Sequence, residues 1–489
     1  MDDINPDQLP ELRAPLLRYT WLQHFLGAAV GWYIAFPLLG VWRFLMWMLA
    51  EHGLVPTLCV VPVAYLFYGI QLCLAIIITK WVLLQRMSPG TYRLGSFFHI
   101  RWWFVDRLVS YATPLFLDQL RGTPWINVFF FCMGANISLN SYINTADITG
   151  YDLVEVQEHC IVLRNAGLHA HSLDDGDLVL GPINVGRGSY IGPKSLVLPD
   201  TMVNEGSIIR PMTVVREVVI EGIVEGSPAR PVQSDEPNHE LERGYFGSFM
   251  LMFIQPIFMM VAPALSALAT YPAVLLISAL SKEINFFPID GRGPEIKDLD
   301  ASFISVSMLS LWGPFPFHAV FVLIVEELDV VVEVADFFIS RAANVYGIFG
   351  VIWMIVIAYF VYSLCLMLAT AIVKWVFLST PFLPRAYTVN VSNPIEFFLF
   401  VRKWTQEKVM TWVWYRSVQV FLGSEVSSTW LRICGARIGF RTVLAKVEPV
   451  TEPEMLSVGR DCHFGDGCMA IGAMVLPGGD IYEDDIVME

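Results

Sequence analysis

Apolar and polar positions follow two different rhythms along the chain. Uncharged apolar runs cover residues 25–42, 54–79, 247–280, 303–325 and 345–373. A helix needs roughly 20 such residues to cross a bilayer core, so these runs predict membrane-spanning helices. Between residues 185 and 213 the rhythm changes to a period of six. Val185, Ile191, Val197, Val203 and Ile209 recur with a small residue four places after each: Ser189, Ser195, Thr201, Ser207 and Thr213.

A six-residue repeat of aliphatic and small residues predicts a parallel β-helix, in which three short flat strands make one triangular coil with the aliphatic side chains stacked inside. Ordinary strand alternation, with a period of two, would not place a small residue four positions after every aliphatic one. Looser hexads extend the pattern upstream from "GANIS" at Gly134 through "DLVEVQEHCIVL". The polar "SLDDGD" within 172–182 breaks the period and reads as a loop thrown out from one corner.

The chain also repeats itself. "ITKWVLL" at 78–84 returns as "IVKWVFL" at 372–378, and Gly122 with "GANI" at 134–137 matches Gly423 with "GARI" at 435–438. After one inserted residue, Thr149, Val156 and Cys160 match Thr451, Val458 and Cys462. Each half therefore reads as a membrane hairpin, a basic-aromatic stretch and a β-helix. The stretches "RWWFVDRLVSYATPLFLDQL" and "VRKWTQEKVMTWVWYRSVQVF" are expected to lie in the headgroup plane and seat the strands on the bilayer; a packing helix is the alternative. The expected boundaries are 1–100 for the N-terminal segment and first hairpin, 101–131 for the first interfacial helix and 132–232 for the first β-helix. In the second half they are 245–378 for membrane helices, 395–430 for the interfacial helix and 431–489 for a second, incomplete β-helix.

Composition agrees with an integral membrane protein: of 489 residues 55% are hydrophobic and 16% charged, and the mean hydropathy is +0.55. The opening "MDDINPDQLPELR" is acidic, so no cleavable export signal is expected. A net charge of −15 excludes nucleic acid as a partner, because phosphates require a basic face. The eight cysteines have no C-x-x-C spacing and read as small buried hydrophobes. Basic residues flank the first two spans (Arg13, Arg18, Lys80, Arg86, Arg93, Arg101 and Arg107), whereas the turn between them is "EHG". The β-helix side is thus expected to be cytoplasmic. An even number of crossings must then separate the two β-helices. The run 247–280, with Pro256, Pro263 and Pro272, is expected to bend into a hairpin or re-entrant pair.

The segment "DLVEVQEHCIVLRNAGLHAHSLDDGDLVLGPINVGRGSYIGPKSLVLPDT" resembles the hexapeptide-repeat acyltransferase superfamily. More narrowly, the chain is similar over essentially its whole length to the membrane-embedded terminal domain of certain nonribosomal peptide synthetase-like proteins, including ε-poly-lysine synthetase. The resemblance implies an internally duplicated, multi-pass α-helical membrane protein with two left-handed parallel β-helix domains. Asp152 and Glu155 match its first acidic positions, His171 its histidine, and Asp174 and Asp175 its acidic loop, while Gln157, Ala170 and Gly176 depart from it.

Such enzymes move an acyl group from a pantetheine thioester to an amine or hydroxyl, which requires a base for the acceptor's proton. His171 is the candidate base, with a carboxylate from Asp152, Glu155 or Asp174 expected to fix its tautomer. Backbone N–H groups at the corner are expected to hold the oxyanion. Asp152 and Glu155 complete the expected catalytic set, and His169, Asn165, Asp174 and Asp175 the substrate-binding set. A zinc site of His159, His169 and His171 is a weaker alternative; no metal is expected.

In the second copy Gly479 falls opposite His171, so that copy is expected to be structural. The chain stops at Glu489 before any counterpart of the regular hexads, which reads as an incomplete product or an open end covered by a partner. Two function classes follow. One is a membrane acyltransferase or aminoacyltransferase with no permanently bound cofactor. Its donor is a carrier-protein phosphopantetheine or CoA thioester, its acceptor a small amine or hydroxyl, with membrane lipid around it and possible homo-oligomers. The other is a non-catalytic membrane scaffold that anchors an adenylation or carrier partner.

Overall fold

The computed structural model describes residues 20–232, 249–283, 341–378, 386–388, 394–475, 480–483 and 486–488. The apolar runs form helices α1 (Thr20–His52) and α2 (Leu54–Leu83). A basic-aromatic helix α3 (Phe97–Ala112) and the short α4 (Pro124–Cys132) follow. In the second half come α5 (Phe249–Met259), α6 (Val261–Glu283), α7 (Arg341–Val373), α8 (Pro394–Arg416) and α9 (Glu425–Ile433). Among the described residues four helical stretches are long and apolar enough to cross a membrane: Trp21–His52, Leu54–Leu83, Met250–Ala273 and Val356–Leu378. The run 247–280 is interrupted between α5 and α6 at Met260, and the run 303–325 lies outside the described residues.

The strands of residues 136–232 visit three sheets in rotation. Asn136–Ile137, Val154–Val156, Ile183–Val185, Thr201–Val203 and Val219–Ile220 pair in parallel in one sheet. Tyr142–Ile143, Ile161–Val162, Tyr190–Ile191, Ile208–Ile209 and Ile223–Glu225 form the second, which Arg230–Pro231 closes in antiparallel fashion. Ile148–Thr149, Gly167–His169, Leu196–Val197 and Val214–Val215 form the third.

The six-residue spacing has a direct physical cause here. Val185, Ile191, Val197, Val203 and Ile209 are all buried. The small residues between them are buried too, and several use their hydroxyls on the backbone of the next layer: Ser189 donates to Asn204 O (2.9 Å), Ser195 to Arg210 O (2.7 Å) and Ser207 to Ile220 O (3.2 Å). Asn204 O and Ile220 O also accept backbone N–H groups, from Ser207 (3.2 Å) and Asn204 (2.9 Å), so the hydroxyls supplement the backbone ladder.

The fold differs from the class expected from the sequence. The strands are mostly parallel sheets of an α/β type set beside apolar helices, and two left-handed β-helix domains are not formed. The second half shows why. Its strands make a three-stranded parallel sheet (Arg437–Ile438, Leu456–Val458, Ile486–Met488) and a two-stranded pair (Val443–Leu444, His463–Phe464). A third sheet, of Ala386–Thr388, Asp480–Glu483 and Ala473–Val475, is antiparallel. Polar and glycine-rich sequence such as "GRDCHFGDGC" supplies too few aliphatic positions to hold a longer stack.

The segment 172–182 is also more ordered than a loop. His171–Asp174 and Asp177–Leu180 form an antiparallel hairpin, to which Gly90–Arg93 adds a third strand. Its two turn residues, Asp175 (φ 49°) and Gly176 (φ 81°), both have positive φ, as a tight two-residue hairpin of Asp-Gly type requires.

Helices and sheets are joined by the same contacts in both halves. At the end of α2, Lys80 Nζ pairs with Asp152 Oδ1 at 2.8 Å, lies over the Trp81 ring, and is fully buried. After α7, Lys374 Nζ pairs with Glu454 Oε2 at 3.0 Å, lies over the Trp375 ring, and is equally buried. The indoles of Trp81 and Trp375 donate to Cys132 O and Ile433 O, each at 2.7 Å. Gly134 and Gly435 share a positive φ of 109° and 110°, and a Cβ on Gly134 would collide with the Asp152 carboxylate.

Helix α8 does not lie open on one face. Trp404, Lys408, Trp412, Trp414 and Arg416 are all buried, and its side chains reach both the first-half strands and α6. Packing between the halves surrounds much of it.

Two predictions come from these contacts. Val197→Asp places an unpaired carboxylate between Leu168 and Val215, its neighbours in the third sheet, and should destabilise the fold by about 4 kcal/mol or more, read as loss of a cooperative melt in detergent. Asp152→Ala strands the Lys80 charge and should cost about 3–5 kcal/mol. The double variant Lys80→Met with Asp152→Leu should recover most of that loss in the same thermal scan.

Candidate active site

Helix α3 and two neighbouring strands of the third sheet gather the histidines. Thr149 and His169 are direct partners across that sheet, and buried Ala170 turns the chain from it into the hairpin that His171 begins. His171 Nδ1 and Thr149 Oγ1 are 2.7 Å apart. His169 Nε2 donates to Asp147 Oδ1 at 2.8 Å, and the two imidazoles stack with centroids 5.4 Å apart. Trp102 of α3 covers the other side of His171 at 4.8 Å.

Burial, and then the neighbouring His169, push the His171 pKa down to about 4, against the opposing pull of Asp106 and Asp147. The ring is therefore neutral across the physiological range. Thr149 sets its hydrogen bonding, the role that the sequence reading assigns to a carboxylate. The nitrogen left for an acceptor's proton is Nε2.

The other expected site residues are distributed differently. Asp152 is held by Lys80 and by the backbone N–H of Met87 (3.2 Å), so it secures the junction with α2 and does not orient His171. Glu155 is the half-buried middle residue of Val154–Val156, in the first sheet, between Asn136 and Asn184. Asn165 occupies a left-handed corner (φ 55°), where asparagine is well tolerated, and its Oδ1 accepts from Arg121 at 3.4 Å. Asp174 accepts from Ser172 (2.6 Å) and from both terminal nitrogens of Arg216 (3.2 and 2.7 Å); these two partners hold its carboxyl below the usual range. Asp175 serves the hairpin turn. His159 stands beside Glu158, away from the stacked pair, and no trio of His, Cys, Asp or Glu among the described residues is grouped for a metal. Gly479 lies outside the described residues.

The structure thus brings His169 and His171 together with three residues that sequence reasoning missed: Asp147, Thr149 and Trp102. The signal for two of them is present in the sequence. "ADIT" precedes "GLHAH" by one circuit of the three sheets, which puts Asp147 and Thr149 alongside the histidines once the strands are in register.

Two cavities stand apart from the histidines. One of about 10 Å³ lies between Met87, Trp102, Asp106, Thr149 and Tyr151, and neither His169 nor His171 lines it. A larger one, of about 70 Å³, opens between the two halves, and His171 does not line it.

No family model matches the chain. Delta-poly-L-ornithine synthetase of Acinetobacter baumannii (strain AB307-0294) is 27% identical over 213 residues, covering 42% of this chain and 15% of that protein. The chain spans only a small part of that relative's length.

The His171 pKa carries a sign. In the unfolded chain the imidazole takes a proton below about 6.5, whereas the folded site resists it down to about 4. Its contribution to stability is therefore complete above pH 6.5 and lost as pH falls toward 4, by about 3 kcal/mol at most. Melting temperatures measured between pH 4 and 7 should fall less steeply on the acid side in His171→Gln than in the wild type.

Proposed function

We propose that the chain is a membrane-embedded module of poly-amino-acid synthesis that transfers an acyl or aminoacyl group from a thioester to an amine or hydroxyl. The observation that carries this reading is the similarity to a poly-ornithine synthetase. The apolar helices hold the module in the bilayer as a multi-pass protein, and the basic residues after α2 favour the sheets facing the cytoplasm. The donor, a carrier-protein phosphopantetheine or CoA thioester, arrives as a substrate.

In this reading His171 is the catalytic base. An acceptor amine attacks the thioester carbonyl while Nε2 takes the proton that the amine sheds. The tetrahedral intermediate collapses with cleavage of the C–S bond, and the imidazolium returns the proton to the departing thiolate. The product is an amide and a free thiol. Thr149 and Trp102 fix the ring, and Asp147 compensates His169 when a proton sits on the pair. A depressed pKa keeps the base in its neutral form, at some cost in basicity.

Transfer from aminoacyl-CoA and aminoacyl-carrier donors, measured on protein in nanodiscs, tests this reading. His171→Ala should lower turnover by about a hundredfold or more, the scale for losing a general base, and Thr149→Val should lower it less. Wild-type turnover in His171→Ala would remove His171 from the chemistry. Retention of a carrier protein with no transfer by the wild type would favour the anchoring scaffold instead.

A further inference from the structure

Helix α2 is apolar all round, yet it has two faces. Tyr65, Tyr68, Leu72, Ile76 and Lys80 are buried in protein, whereas from Val55 to Val82 every exposed residue is apolar, Phe67, Ile70, Leu74 and Ile78 among them. At 1.5 Å per residue that open face runs for about 40 Å, longer than the roughly 30 Å hydrocarbon core of a bilayer. Lipid chains fit a face of this length, and the headgroups lie where it ends.

Cationic side chains collect at that end. Gln85, at φ 53°, stops the helix and turns the chain, and the exposed Arg86 follows. Arg86 acts electrostatically on the Lys80 ammonium, and among the described residues it has no ion pair or hydrogen bond of its own. Arg101 reaches back from the first turns of α3. Its Nη1 donates to Leu83 O at 2.9 Å, and its guanidinium lies 4.7 Å from the centre of the half-exposed Phe97 ring. Its Nη2 has no hydrogen bond among the described residues and reaches the surface. The carboxylate of this junction, Asp152, is already engaged by Lys80 and the Met87 N–H. The two guanidiniums therefore form a positive edge level with the headgroups, where basic side chains attract anionic lipid.

The second half keeps the apolar face and lacks this edge. Trp375, Val376 and Phe377 are exposed just after α7, as Trp81 and Val82 are at the end of α2. Arg402 donates to Leu378 O much as Arg101 does to Leu83 O, but it is buried, and the residue in the place of Arg86 after "IVKWVFLS" is Thr380.

We propose that the end of α2 binds one anionic phospholipid, its phosphate held by Arg86 and Arg101 Nη2 and an acyl chain lying along the open face of the helix. Arginine suits the phosphate because its planar fork offers N–H groups to two oxygens at once. A zwitterionic headgroup brings a cation that both arginines repel, and phosphatidylglycerol brings none. The site depends on α2 lying in the bilayer and not on any chemistry at the histidine cluster.

Native mass spectrometry of the full chain in detergent, titrated with phosphatidylglycerol or with phosphatidylcholine of the same acyl chains, tests the proposal. One phosphatidylglycerol should be retained at least about tenfold more tightly than phosphatidylcholine, the scale of one hydrogen bond to a charged group. Arg86→Gln, confirmed folded by its melting temperature, should remove most of that preference. Arg441→Gln, which takes the same charge from an exposed pair with Asp461 in the second half, should keep it. Glycerol 3-phosphate, a similar anion without chains, should leave the lipid in place. Equal retention of the two lipids would overturn the proposal, as would full preference in folded Arg86→Gln. Displacement by glycerol 3-phosphate would make this a soluble-anion site, and an equal loss in Arg441→Gln would reduce the effect to net charge; either result rejects a lipid site at α2.

Discussion

A lysine at the end of an apolar helix cannot remain alone where it is buried, and the architecture is arranged around that requirement. Lys80 and Lys374 each leave a membrane-type helix fully buried, and each meets a carboxylate, Asp152 or Glu454, supplied by the short 3-10 turn that leads into Val154–Val156 or Leu456–Val458. The neighbouring tryptophan indoles cap carbonyls at the end of a short helix, and Gly134 leaves room for the Asp152 carboxylate to approach. Helices and sheets are thereby locked at a fixed distance. A buried pair of this kind adds little stability relative to a well-packed apolar contact, but breaking one partner is expensive, so it specifies geometry strongly.

The same economy of buried polar groups explains the interface between the halves. Helix α8 carries Arg402, Lys403, Lys408 and Arg416 into protein, where each finds a carbonyl, a carboxylate or an aromatic face. Lys408 donates to Asp118 O (2.9 Å), and the Arg416 guanidinium lies over Trp412. Burial drives the Lys408 pKa down to about 7, with Glu407 of the same helix opposing the shift. One consequence is that the 70 Å³ cleft is built from both halves and belongs to neither alone.

The histidine cluster follows a different logic. Asp147, Thr149, His169 and His171 come together because parallel strands one circuit apart lie side by side, and Trp102 packs beside the half-buried His171. Burial and the neighbouring His169 keep that imidazole neutral, with a pKa pushed down to about 4. The carboxylates nearest in sequence have structural duties instead, Asp152 at the helix junction and Asp174 with Arg216.

Hydropathy and the six-residue rhythm were enough to place four apolar helices, the buried row from Val185 to Ile209, and the repeated "KW" segments, because burial of aliphatic side chains leaves a periodic trace in any sequence. "SLDDGD" contained its hairpin as well, in the Asp-Gly pair that adopts positive φ, although its polarity reads as a loop. Periodicity could not say how far each stack extends. In the second half, short pairings and an antiparallel sheet take over, since strand partners are chosen by long-range register and available apolar area. Nor could it give charged residues their partners. Whether Asp152 meets His171 or Lys80, and whether Asn144 comes to face Glu407 from the other half, depends on contacts between positions far apart in the chain. Only the packed structure decides these, because a buried charge is placed by whichever opposite group can reach it.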